Sequence, residues 1–359
     1  MNNGSIQAVE RVRAEIKSEL SLFLNSQRAL LESIAKDLSP VSDAMDEFLL
    51  ESGKRFRPLF AYAGIRATGV EANQSQLRAI ASLELLQACA LIHDDLMDGS
   101  DTRRGKPSMH RHFENLHQQH ALNGISTQFG ESAAVLLGDL ALVWADQMLN
   151  SSGITLDALQ TVRPVYDEMR VELMAGQYLD VREAGERTHS VERSLRIARY
   201  KSGKYSIERP LHMGAAIGKP STYSELSPVL SAYGLPLGEA FQLRDDLLGV
   251  FGDPDLTGKP AGDDLREGKR TVLIAMTLEN LSGDDRAMLL AELGNPDLTP
   301  HHVDDLRTII RSSGAVEKVE SLISELMDSS LAAIDSPLVA EDSRELLHLL
   351  AHAAVSRKA

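Results

Sequence analysis

Apolar residues recur at helical spacing over long stretches of this chain, and nowhere do they alternate convincingly every second residue. Val9, Val12, Ile16, Leu20, Leu24, Leu30 and Leu31 mark an amphipathic helix over residues 8–36. Further helices are expected over 77–97, 131–149, 156–181, 190–217, 227–251, 271–280, 317–334 and 343–355. Ser190 is a weak N-cap candidate, because Arg193 stands where a capping box wants Glu. Ser227, followed by Pro228, reads as the N-cap of the 227–251 helix. Residues 252–269 form a polar stretch rich in Gly, Pro and Asp, expected to be a loop. Aromatic residues make up only 4% of the chain, which favours helices over a β-sandwich or barrel. No Pro/Gly/Ser-rich linker divides the sequence. The expectation is an all-α, single-domain helical bundle spanning 1–359, with a motif-bearing core at about 50–275.

A net charge of −15 argues against binding to nucleic acid or an anionic membrane. The single cysteine, Cys89, excludes an intrachain disulfide framework and fits a reducing, cytoplasmic setting. Residues 1–20 are polar and charged, unlike a signal peptide. The most apolar run, Ala133 to Ala145, is interrupted by Asp139 and is too short to span a bilayer.

The chemistry is concentrated in two aspartate pairs. The first lies in Leu91-Ile92-His93-Asp94-Asp95-Leu96-Met97-Asp98 and is followed by Arg103-Arg104-Gly105-Lys106-Pro107. The second lies in Phe241-Gln242-Leu243-Arg244-Asp245-Asp246-Leu247-Leu248-Gly249 and is followed by Gly258-Lys259-Pro260. Both pairs fall near expected helix C-terminal ends, which hints at a pseudo-repeat with two similar sites facing a cavity. Asp94 and Asp98 share one helix face, where bare carboxylates repel and a divalent cation would reverse that repulsion. Carboxylates beside cations suit a highly charged anion held through Mg²⁺, with a diphosphate as the natural ligand. A third basic cluster, Lys54, Arg55 and Arg57, is bracketed by Gly53 and Pro58.

Taken in order, Gly53-Lys54-Arg55-x-Arg57-Pro58, Asp94-Asp95-x-x-Asp98, Arg103-Arg104-Gly105, Gly176-Gln177-x-x-Asp180, Lys201-Ser202 and Phe241-Gln242-x-x-Asp245-Asp246 resemble the trans-isoprenyl diphosphate synthases. The resemblance implies a helical isoprenoid-synthase bundle with a central active-site cavity, and a homodimer. It implies three Mg²⁺ ions on an allylic diphosphate, with Asp94, Asp98 and Asp245 as metal ligands and Asp95 in support. Arg103, Lys201 and Lys259 would add charge to that diphosphate. Lys54, Arg57 and Arg104 would hold isopentenyl diphosphate. Gln242 and the oxygens near Lys201 and Ser202 would face the allylic cation, with Gln177 and Asp180 close by. Diphosphate itself is the expected base. The 252–269 loop would serve as a lid excluding water.

Two positions depart from the family pattern. Gly249 stands where many relatives have Asp, which implies weaker organisation of the second motif rather than lost activity. Gln87 stands where many have a His contacting isopentenyl diphosphate, and it can still donate a hydrogen bond.

Product length follows from helix geometry. An isoprene unit is on the order of 4–5 Å, close to one helical turn of about 5.4 Å. One turn before Asp94 are the small Cys89 and Ala90, followed by Leu86 and Leu83, with Trp144 on a facing helix as a pocket floor or as core. In the family that the chain resembles, a bulky aromatic there stops growth at fifteen carbons; its absence implies a deeper pocket, and a C20 product, geranylgeranyl diphosphate, is expected ahead of longer chains.

Three other readings compete. A non-catalytic partner subunit would usually lack the first aspartate motif. A metal phosphohydrolase built on His93-Asp94 would need further His ligands, and His110, His112, His117 and His120 lie in a polar segment. A terpene cyclase would not need Lys54 and Arg57.

Overall fold

The computed structural model describes residues 3–51, 53–186, 189–253, 262–295 and 297–356. Nearly every described element is helical, and the all-α expectation holds. The strands are a two-residue hairpin pair, β1 (Thr102–Arg103) and β2 (Lys106–Pro107), in register Thr102 with Pro107 and Arg103 with Lys106. The chain divides into two compact units.

The first unit comprises Met1–Arg163, Pro210–Leu226 and Leu338–Leu349. Its helices include α1 (Asn3–Ile34), α2 (Ser39–Leu50), α3 (Phe56–Ala67), α4 (Gln74–Met97), α5 (Met109–Gln119) and α6 (Ser126–Asn150). Val9, Val12, Ile16, Leu20 and Leu24 form the buried stripe of α1. Leu30, expected on that stripe, is 54% exposed instead, while Gln27 is buried and Leu31 half-buried, so the stripe continues beside it. Helix α4 starts three residues earlier than the apolar pattern shows. Asn73 accepts from Gln76 N, and Gln76 Oε1 accepts from Asn73 N, both at 3.0 Å, forming a reciprocal cap that sets the start. The helix is apolar on nearly all sides between Leu77 and Ile92, as a central helix should be. It packs chiefly on α6 and also on α1 and α3. The polar segment around His110 to His120 is also helical, with Met109, His110, Phe113 and His117 on its buried face.

Helix α6 corrects the expectation for the apolar run. It is longer than that run, and among the described residues it is the one helix long and apolar enough to cross a membrane. It is a packed element of this unit, with Ala134, Leu137, Ala141, Trp144, Ala145, Met148 and Leu149 buried.

The second unit comprises Pro164–Arg209, Ser227–Pro337 and Leu350–Ala359. Helix α7 (Leu156–Gly185) carries Pro164 internally. The single helix expected over 190–217 is three elements: α8 (Val191–Ala198), a wide π-helical segment (Arg199–Glu208) and α9 (Arg209–Gly218), the last almost wholly in the first unit. Ser190 does cap α8, accepting from Arg193 N at 3.4 Å. Ser227 is not an N-cap, because α10 (Tyr223–Phe251) begins a turn earlier, after a 3₁₀ turn over Pro220–Thr222. Pro228 therefore lies inside the helix, as does Pro236, and each removes one backbone hydrogen bond from it.

The expected 252–269 loop contains a short helix, α11 (Asp263–Arg266). Residues 254–261, including Gly258, Lys259 and Pro260, lie outside the described residues. Helices α12 (Val272–Asn280), α13 (Gly283–Glu292), α14 (Pro300–Ser312), α15 (Ala315–Ala333) and α16 (Glu341–Val355) complete the chain.

Candidate active site

The first motif closes α4. Asp94 and Asp95 occupy its last turn and Asp98 is its C-cap residue. Carboxylates at a helix C-terminus oppose the helix dipole, so they need cations nearby. Asp95 is fully buried, and Arg103 grips it, with Nε 2.9 Å from Oδ1 and 3.1 Å from Oδ2. The same guanidinium lies 3.8 Å from Asp94 Oδ2. Asp95 thus anchors Arg103, while Asp94 and Asp98 stay partly exposed.

Arg103 and Arg104 come from the β1–β2 hairpin. Its two turn residues, Arg104 (φ 55°) and Gly105 (φ 77°), both take left-handed backbone, as a tight hairpin turn requires. Arg55, at φ 55°, precedes α3 in the same strained conformation. A non-glycine residue in this region costs energy and persists only where its surroundings hold it. Arg55 is held by a buried ion pair with Glu84 and by the Leu49 carbonyl. Burial lowers the pKa of Arg104 and Glu84 raises it, while Arg103, Arg55 and Arg57 lower it further. Four guanidiniums therefore gather in a partly desolvated patch that holds two buried carboxylates, Glu84 and Asp95, and the excess of positive charge makes it an anion-binding arrangement.

Lys54 is exposed beside this patch, and its carbonyl accepts from Arg13 Nε at 3.3 Å. Gln87 sits on α4 two turns before Asp94, half-buried. Lys106 is committed elsewhere, with its ammonium 2.5 Å from both Glu47 and Glu51, tying the hairpin to α2. A cavity of about 140 Å³ opens there, lined by Phe48, Glu51, Arg103, Arg104, Lys106 and His112. Arg55 and Glu84 were not singled out as a pair from sequence. The signal for Glu84 was a lone charge inside the apolar run Leu83 to Leu86.

Among the chain-length candidates, Leu86 and Cys89 are fully buried and Ala90 is half-buried. The Cys89 sulfur lies 3.8 Å from His93 Nδ1, and burial pushes the thiol up to about 12. His93 Nε2 in turn lies 3.1 Å from the Val135 carbonyl of α6. His93 is thus a helix-packing residue. Trp144 stacks edge-on against Phe23 of α1, ring centres 6.3 Å apart.

The second unit holds the other motif. Gln242 Nε2 donates to Asp246 Oδ1 at 2.8 Å. Burial pushes the Asp246 carboxyl up to about 8, the Gln242 bond opposes this, and the charges of Asp264, Asp245 and Asp180 add to it. Asp245, half-buried, belongs to the same acidic set. Asp180 of α7 pairs with Lys201 Nζ at 2.5 Å. Lys201 and Ser202 lie in the π-helical segment, and Gln177 lies one turn before Asp180. Gly176 is required there. A Cβ on it would meet the Tyr200 carbonyl carbon at 2.6 Å and the Lys201 Cα at 2.7 Å. Glu172 further secures the segment, accepting from Arg209 Nε at 2.7 Å and pairing with Lys204.

Among the described residues, no three His, Cys, Asp or Glu side chains form a ready-made metal cage. This fits Mg²⁺, which is usually held by one or two carboxylates together with substrate phosphate oxygens.

Residues 39–310 match the polyprenyl synthetase family model. The chain belongs to this family. By that membership it is a trans-prenyltransferase. Among solved structures it resembles a Corynebacterium glutamicum geranylgeranyl pyrophosphate synthase complexed with isoprenyl diphosphate and magnesium, with a TM-score of 0.93, 41% identity, and coverage of 98% of this chain and 99% of that one. A geranylfarnesyl diphosphate synthase of Aeropyrum pernix is 30% identical, covering 88% of this chain and 94% of the relative. The octaprenyl diphosphate synthase of Escherichia coli is 29% identical, covering 92% and 94%. The names of these relatives give products of different lengths, so family membership gives the reaction type and not the chain length.

Proposed function

We propose that the protein joins isopentenyl diphosphate head-to-tail to the allylic diphosphates dimethylallyl, geranyl and farnesyl, releasing diphosphate and ending at geranylgeranyl diphosphate. The observation that carries this is the pairing, in one unit, of the Asp94–Asp98 carboxylates with the guanidinium patch of Arg55, Arg57, Arg103 and Arg104. A terpene cyclase handles one diphosphate and has no use for the second set.

The donor set suits Mg²⁺ at Asp94, Asp98 and Asp245, three ions being proposed, and when bound they supply the positive charge that stabilises a departing diphosphate. Arg103, Lys201 and Lys259 add charge-assisted hydrogen bonds to the same group. Lys54, Arg57 and Arg104 hold the diphosphate of isopentenyl diphosphate, and Gln87 adds a hydrogen-bond donor. Gln242 and the oxygens around Lys201 and Ser202 face the allylic carbons, where positive charge develops as the C–O bond breaks. The isopentenyl double bond attacks that carbon, and proton loss to diphosphate completes the step.

The C20 product is supported by the small side chains at Cys89 and Ala90, and by the likeness to the C. glutamicum protein. Leu86 borders the growing chain and Trp144 closes the far end in this proposal.

A homodimer and a cytoplasmic location are part of the same proposal. Helix α6 exposes Val135, Leu136 and Val143 to solvent at 45%, 66% and 61%, an apolar face suited to a second copy of the chain.

The double variant Lys54→Ala/Arg57→Ala tests the assignment. Condensation should fall at least ~100-fold while Mg²⁺-dependent binding of an allylic diphosphate is retained. Unchanged condensation would remove the second-substrate site from these residues.

A further inference from the structure

Lys204 and Arg209 are five positions apart, yet both reach one carboxylate. Glu172 of α7 accepts from Arg209 Nε at 2.7 Å on Oε2 and from Arg209 Nη2 at 2.8 Å on Oε1, and Oε1 also takes the Lys204 ammonium. Residues five apart point about 140° away from each other around an α-helix of 3.6 residues per turn. On a π-helix, whose hydrogen bonds span five residues, they fall on one side. The turn between Lys204 and Arg209 is of that wide kind, because Arg209 N donates to Lys204 O. The side chains of Glu172, Lys204 and Arg209 are 12%, 13% and 9% exposed. Burial works to raise the Glu172 pKa, but the bonds from Arg209 and Lys204 outweigh it and hold the carboxyl below its usual range, so it stays ionised. Helix α10 holds the segment from another direction. Its Ser231 donates to Glu208 at 2.7 Å, its Glu239 pairs with Arg199 at 2.5 Å, and a Cβ on Gly203 would meet the Gly238 carbonyl carbon at 3.0 Å.

We propose that Glu172 is a positioning residue: by bridging Lys204 to Arg209 it selects the widened turn, and the widened turn sets the angle at which Lys201 and Ser202 face the allylic diphosphate. A turn narrowed by one residue would rotate Lys201 and Ser202 by about 100° relative to Arg209. Lys201 would then leave Asp180, with which it pairs at 2.5 Å. Helix α7 thus sets the segment twice, with Asp180 on Lys201 and with Glu172 on the turn that follows. The alternative is a buried ion cluster that only stabilises the fold. That would account for the burial but not for a carboxylate shared by two residues that an ordinary helix turns apart.

This inference rests on the diphosphate-synthase reading, and the test separates the two. Steady-state condensation kinetics, melting temperatures and crystal structures are compared for the native protein, Glu172→Gln and Glu172→Gln/Lys204→Met. The double variant removes the bridge without leaving a buried ammonium unpaired, and Arg209 keeps Glu168, 2.8 Å away. Its melting temperature should return close to the native value. Its kcat should stay about tenfold or more below native, because the groups facing the reacting carbons are misplaced. The KM for the allylic substrate should rise, while that for isopentenyl diphosphate, assigned to Lys54, Arg57 and Arg104, should not change. The structure should show an α-helical turn between residues 204 and 209, with Lys201 away from Asp180. A kcat that recovers together with the melting temperature, or a wide turn retained with Lys201 on Asp180, overturns the inference alone. A native protein that condenses no substrate overturns the underlying reading, and the inference with it.

Discussion

At the scale of single residues, the buried Asp246 makes a prediction about pH. Its folded-state value, about 8, lies above the ordinary 3.8. The folded protein therefore holds this proton where the unfolded chain has released it. Its contribution to stability is fully present below pH 4 and is lost as pH rises to about 8. Thermal melts in chelator across that window should show the native protein losing stability relative to Asp246→Asn, with the gap levelling off above pH 8. A constant gap would mean that Asp246 is ionised throughout. The aspartates were legible in the sequence because charges next to apolar runs such as Ala88 to Ile92 stand out. The Arg55–Glu84 pair was not, because its partners are 29 residues apart and only folding joins them. The surroundings of Gly249 were not legible for the same reason, because the Asp264 carboxylate packed against it comes from another helix.

At the scale of elements, long amphipathic helices such as α1 were legible because their spacing is local information. Departures came where packing overrides propensity. The stretch 190–217 keeps a helical pattern throughout, yet its middle widens into a π-helical segment, with Arg209 N donating to Lys204 O. Such segments often occur at functional sites, and this one carries Lys201 and Ser202. Its path depends on Gly176 of α7, where backbone meets backbone. Gly176→Ala should therefore displace Lys201 from Asp180. The expected cost is about 1–3 kcal/mol in denaturant unfolding, with a larger proportional loss of kcat. A variant with native turnover and native stability would show that the approach is not needed. Helices α2 and α5 were missed because their apolar stripes are short and interrupted by charge or histidine.

At the scale of the whole molecule, helix α6, the one described helix long and apolar enough to cross a membrane, has an outward face of Val135, Leu136 and Val143. Leu136→Asp with Val143→Asp should convert the proposed homodimer to a monomer in light scattering, with far-ultraviolet circular dichroism unchanged. An oligomeric state equal to that of the native protein would assign the face to something other than a second copy. The all-helical class was legible from period and composition. The division into two units was not, because each unit draws on segments far apart in sequence.

The most direct test of the central claim is product analysis. Purified protein is incubated with Mg²⁺, isopentenyl diphosphate and, separately, the C5, C10 and C15 allylic diphosphates. The account predicts condensation with each primer and a C20 product. Products longer than C20 would keep the reaction and move the pocket floor beyond Trp144, whereas no condensation with any primer would contradict the account.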